Sequence, residues 1–161
     1  MQQNRKSQRK NDHDYSQPGY YSVTICTQRR SCLFGAIQNG EMLTNDTGQM
    51  VRDTWYEIPT YYPGIELDVM QIMPNHLHGI IIIRAGALSL SDVVERFKSL
   101  TTKRYIDGVK NNGWHSFPGK LWQRSFHDRI IRNETELNNI RQYICNNPNE
   151  WDTDENNIDL E

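Results

Sequence analysis

The stretch Met73-Pro74-Asn75-His76-Leu77-His78-Gly79-Ile80-Ile81-Ile82-Ile83 decides how this chain is read. A Pro-Asn turn feeds an apolar run of strand length, and two histidines open the run. Side chains at i and i+2 of a strand point to one face. His76 and His78 therefore project together, with Leu77 opposite. Ile80 and Ile82 continue the histidine side, and Ile81 and Ile83 the other. A strand apolar on both faces wants a central place with cover on both sides. Two imidazoles at its mouth can share one divalent cation if another segment brings a third group. If no metal binds, each neutral ring needs a hydrogen-bond partner instead.

The pattern extends outward on both sides. Residues 65–73 form a second core strand, joined through the Pro74-Asn75 turn and paired antiparallel with the first. Residues 44–58 carry Met50, Val51, Trp55 and Ile58 at helical spacing, with Asn45 or Asp46 as cap and Pro59 as terminator. Within residues 33–43, Asn39-Gly40 lies between two apolar pairs, a hairpin signal. Residues 20–28 alternate and are rich in β-branched and aromatic side chains, as a strand requires.

Downstream, residues 89–106 make an amphipathic helix striped by Leu90, Val93, Val94, Phe97 and Leu100. Ser89 with Asp92 resembles its capping box. Residues 107–120 read as a loop and residues 121–132 as a strand. Asn133 with Glu136 opens a last helix that Pro148 stops. Together these elements predict an α+β fold, a single antiparallel sheet with helices packed on it.

At 161 residues the chain has the length of one domain with a real core. Three parts are expected: a flexible basic arm over residues 1–19, the folded domain over 20–150, and an acidic polar tail over 151–161. The net charge of −2 gives no bulk signal for nucleic acid. Cys26, Cys32 and Cys145 lack metal-type spacing, and Cys26 and Cys145 read as buried thiols. No apolar run approaches the length of a membrane span, so a cytoplasmic, nucleoid-associated location without membrane contact is expected.

The last helix supplies the second half of the site. Tyr143 and Asn147 are four residues apart and share a face. If that face lands near the histidine strand, the Tyr143 hydroxyl and the Asn147 amide oxygen approach His76 and His78. Two imidazoles and an amide oxygen leave positions open, which suits Mg²⁺ or Mn²⁺ better than a closed structural zinc site, with zinc still open. In the plainer alternative, Tyr143 packs at a helix end and Asn147 merely precedes a proline.

Several segments together carry a resemblance: Asp14-Tyr15-Ser16, Tyr21-Ser22-Val23-Thr24-Ile25-Cys26-Thr27, Met73 to Gly79, Phe97-Lys98-Ser99, Leu121-Trp122-Gln123-Arg124, Ile130-Ile131-Arg132-Asn133-Glu134 and Tyr143-Ile144-Cys145-Asn146-Asn147-Pro148. In these the chain resembles the REP-associated tyrosine transposases, a branch of the HUH single-strand endonucleases. The resemblance implies a ferredoxin-like sheet, His76 and His78 as metal ligands, Tyr143 as nucleophile and Asn147 as third ligand. Wider relatives use glutamine or an acid at that last position, and a neutral amide is a weaker ligand. The implied activity is metal-dependent nicking and strand transfer through a 5′-phosphotyrosine on single-stranded or hairpin DNA with palindromic repeats, by a monomer or homodimer.

Candidate DNA contacts are Arg5, Lys6 and Arg9 of the arm and Arg96, Lys98, Lys103 and Arg104 of the second helix. Tyr15, and Trp122 with Arg124, are candidates for stacking on unpaired bases. Their plain alternatives are a solvated helix face and a core tryptophan. Two other functions stay open: a domesticated hairpin-binding protein that does not cut, and a metal-dependent hydrolase that uses water.

Overall fold

The computed structural model describes residues 17–157. Six strands and three helices follow in order: β1 (Gly19–Cys26), β2 (Gly35–Gln38), β3 (Glu41–Thr44), α1 (Asp46–Tyr61), β4 (Ile65–Met73), β5 (His76–Ile83), α2 (Leu90–Asn112), β6 (His127–Ile131) and α3 (Glu134–Asn146). Four strands form one antiparallel sheet in the order β4-β5-β1-β6. Without the β2–β3 hairpin, β1-α1-β4-β5-α2-β6 is the split βαβ arrangement of ferredoxin-like folds. The α+β expectation holds.

β5 is central and buried along its whole length, as its two apolar faces require. On one face Tyr21, Val23, Ile25, Leu77 and Ile81 meet Trp55 of α1 and Phe97 of α2, whose rings touch edge to face at 5.7 Å. On the other, Ile80 and Ile131 pack with Ile144, Leu137 and Ile140 of α3. The histidine face is thus the α3 face.

Local signals set most boundaries. The side chains of Asn45, Ser89 and Asn133 each accept the amide three residues on, capping the three helices. Asn39 and Gly40, both at positive φ, turn the β2–β3 hairpin.

Four expectations need correction. Pro59 lies inside α1; its missing N–H removes one bond, but the Tyr62 amide still reaches the Ile58 carbonyl at 3.1 Å. Helix α2 runs to Asn112, because its terminator is the left-handed Gly113; Gly108 stays helical, leaving room for the Trp114 ring. The strand expected over 121–132 is shorter, since 121–126 contributes only a bridge from Trp122 to Thr27 before β6. Cys145 is exposed, because α3 turns Ile144 inward; Cys26 is buried as expected.

Part of the acidic segment beyond residue 147 is folded. Pro148–Thr153 forms a 3₁₀ turn, Trp151 and Asn157 are buried, and the Asn157 amide donates to the Trp151 carbonyl. The basic arm with Arg5, Lys6, Arg9 and Tyr15 lies outside the described residues.

Candidate active site

The strand period brings the two imidazoles together. His76 and His78 have their Nε2 atoms 3.2 Å apart and their rings nearly perpendicular. Each ring is held from behind through Nδ1. The Asn75 Oδ1 sits 2.7 Å from Nδ1 of His76, and the Thr24 hydroxyl lies 2.8 Å from Nδ1 of His78.

Asn75 leaves little freedom to His76. Its Nδ2 donates to the carbonyls of Asn156 at 2.7 Å and Arg30 at 3.2 Å, so its Oδ1 must be the atom facing the imidazole. His76 then donates from Nδ1 and presents the bare lone pair of Nε2 to His78. Two fillings complete the network. Either His78 carries its proton on Nε2 and Thr24 donates, or Thr24 accepts and a cation sits between the two lone pairs. Donors 3.2 Å apart match two nitrogens each about 2.1 Å from one ion. The pair therefore fits a divalent metal.

Burial also prepares the rings for ligation. It pushes the His76 imidazole down to about 3, and the His78 imidazole to about 3 with a further push from His76. Both are neutral at physiological pH, the form that binds metal. Among the described residues no group of three or more His, Cys, Asp and Glu side chains is arranged to hold a metal ion.

Helix α3 delivers Tyr143 to this corner. The Tyr143 ring lies 5.7 Å from that of His78 and is 59% exposed. Asn147, one turn on, is 2% exposed; its Nδ2 donates to the Tyr143 carbonyl at 3.3 Å, while its buried Oδ1 has no partner among the described residues. An orphaned buried amide oxygen is costly and calls for an ion or donor. On the other side the Trp151 ring stands 6.2 Å from His76.

The cationic candidates separate by their partners. Arg104 binds Glu57 through two hydrogen bonds and also reaches Thr54, so it ties α2 to α1. Arg96 stacks over Tyr62 at 5.3 Å. Lys98 is buried and donates to the Arg124 carbonyl at 3.1 Å. Lys103 and Arg124 are exposed along a groove on α2. Trp122 is 3% exposed, packed on Phe34 and Phe97 with its Nε1 on Thr101, and offers no open ring face.

Sequence reasoning passed over Thr24, Asn75, Trp151 and the Arg141–Asp68 pair. Asn75 carried a signal only in directly preceding His76; its burial is decided by the fold. Thr24 becomes a partner only through the β1–β5 register, which pairs it with His78.

Comparison with known proteins agrees with this architecture. The family described as Transposase IS200 like matches residues 15–147. An uncharacterized protein of Haemophilus influenzae (strain Rd) is 36% identical, over 96% of this chain and 94% of its own. The solved structure of a REP-associated tyrosine transposase bound to a REP hairpin shares the fold at a TM-score of 0.64 and 21% identity, covering 87% of this chain and 72% of that one. A candidate transposase from Deinococcus radiodurans R1 shares it at 0.53 and 22%, covering 86% and 97%. With a match through nearly the whole described domain and a full-length relative above 30% identity, this chain belongs to the IS200-like transposase family.

Proposed function

We propose that this protein nicks and rejoins single-stranded DNA beside hairpins, with Tyr143 as nucleophile. One observation carries the reading: a solvent-open Tyr143 ring 5.7 Å from that of His78, whose Nε2 is 3.2 Å from Nε2 of His76. A hydrolase needs the imidazole pair but has no use for the phenol beside it. Family membership supports DNA as substrate class, and the hairpin bound to the structural relative supports the hairpin as the recognised feature.

His76 and His78 would hold Mg²⁺ or Mn²⁺, with the Asn147 amide oxygen as third donor. Such a cation, when bound, polarises a phosphate oxygen and neutralises its charge. The chain's own steps follow from its geometry. Asn75 and Thr24 orient the two rings. The Tyr143 oxygen attacks phosphorus; the O–P bond forms as the bond from phosphorus to the 3′ oxygen breaks. The leaving oxygen takes up a proton as a 3′-hydroxyl, and the phenol proton passes to the water around Tyr143. The 5′-phosphotyrosine conserves the phosphodiester for attack by another 3′-hydroxyl, so rejoining needs no ATP.

A labelled hairpin oligonucleotide with an unpaired flank, incubated with Mn²⁺, tests this. The wild type should give a protein–DNA adduct that survives denaturation, and Tyr143→Phe should give none. Nicking that persists in Tyr143→Phe would point to a water nucleophile. Binding by the wild type without any cutting would point to a hairpin-binding protein.

A further inference from the structure

A groove of about 710 Å³ runs along the outer face of α2, on the side of the sheet away from α3. One wall is a stripe at helical spacing: Glu95, Lys98, Thr102, Lys103, Ile106 and Lys110. These fifteen steps of helix extend roughly 22 Å. Lys120 and Arg124 stand on the opposite wall. Five cations thus face two carboxylates, Glu95 and Asp107, in a chain whose net charge is −2. The positive charge is local, and both walls share it.

The groove is built, not incidental. Trp114 fills the space over Gly108, and Phe117 meets Tyr105 edge to face at 4.9 Å. Lys98 ties the walls together by donating to the Arg124 carbonyl. Ile106, 40% exposed, and half-buried Phe117 leave apolar surface between the charged rims. The far wall is also wired to the catalytic strand: the Gln123 amide donates to the Cys26 carbonyl at 2.8 Å, and Cys26 pairs with His76. Two strand spacings, about 10 Å, separate that wall from β5.

We propose that this groove seats unpaired nucleotides of the DNA strand. Phosphates lie on Lys103, Lys110, Lys120 and Arg124, and a base rests against Ile106 and Phe117. Cationic walls over an apolar floor are how single strands are held, whereas a duplex keeps its bases stacked away from such a floor. The proposal rests on the reading of the chain as a DNA-processing protein.

Fluorescence anisotropy tests it with two labelled probes: an oligothymidylate of roughly eight nucleotides and a blunt hairpin without unpaired flank. Lys103→Glu/Lys120→Glu should weaken oligothymidylate binding at least about tenfold and flatten its log–log salt dependence by about 1.4. Phe117→Ala should weaken it about fivefold or more. Ile106→Gln, at an exposed position, should act in the same direction and guards against loop unfolding in Phe117→Ala. The blunt hairpin should bind each variant as it binds the wild type. Unchanged oligothymidylate affinity, or an equal loss with the blunt hairpin, overturns the groove assignment. Adduct formation is scored separately: an adduct with unaltered variant binding removes the groove alone. Weakened variant binding without a wild-type adduct removes the nickase reading and leaves the groove standing.

Discussion

Arg141 on α3 grips Asp68 on β4 through two parallel hydrogen bonds, Nε to Oδ1 at 2.9 Å and a terminal nitrogen to Oδ2 at 2.6 Å. The contact joins the helix of Tyr143 to the edge of the sheet, two residues from the tyrosine. Asp68 sits where the β4–β5 register shifts, and its Oδ1 also accepts the Val69 amide. The hydrophobic contacts of Ile144 and Leu137 permit sliding; a bidentate pair selects one position.

Arg141→Ala should therefore reduce adduct formation more than it reduces stability, by up to about a hundredfold if α3 shifts on the scale of an ångström. The Arg141 hydrogen bonds hold the Asp68 carboxyl below the usual carboxylate range. A depressed carboxylate contributes stability above its unfolded pKa, which is lost as pH falls through the folded value. Urea melts of wild type and Asp68→Asn should differ at neutral pH and converge well below about pH 4.

Tyr143→Phe should leave the fold intact while abolishing the adduct. The side chain is largely exposed, and removing its hydroxyl should shift stability by no more than about 0.5 kcal/mol. Equal thermal melts with all adduct lost are the expected result.

Asn75→Ala should weaken Mn²⁺ binding about 10- to 100-fold, read by titration calorimetry without DNA. It frees the His76 ring and strands the carbonyls of Arg30 and Asn156. Asn75→Asp keeps an acceptor for His76 but loses both donations, so it should recover part of the metal affinity and little of the stability.

Metal-free protein should lose stability on mild acidification. His76 and His78 titrate near 3 when folded and near 6.5 when unfolded, so the unfolded chain binds more protons between those values. Stability is then intact above about pH 6.5 and falls as pH drops toward 3, by up to about 1.4 kcal/mol per pH unit for each ring. Chemical denaturation of chelator-treated protein at several pH values should show this slope, and His78→Gln should flatten it.

Gly79→Ala should destabilise the domain by about 1–3 kcal/mol, measured by urea denaturation. A methyl there would collide with the Trp55 ring, which has no other place to go in the core between α1 and β5.

The sequence by itself determined what depends on neighbours along the chain. Strand alternation put His76 and His78 on one face, and Asn45, Ser89 and Asn133 announced the helix starts. Asn39-Gly40 announced the hairpin. These signals are local because the φ/ψ preferences and periodicities behind them span only a few residues. Only the tertiary structure decided which distant groups meet. Arg104 and Lys103 are adjacent in the chain, yet one is bound to Glu57 on another helix and the other lines a groove. Trp122 went into the core, Thr24 became the partner of His78 through strand register, and Arg141 found Asp68 across the sheet edge. A charge or hydroxyl takes its role from the partner that desolvates or pairs with it, and that partner is chosen by packing, not by spacing.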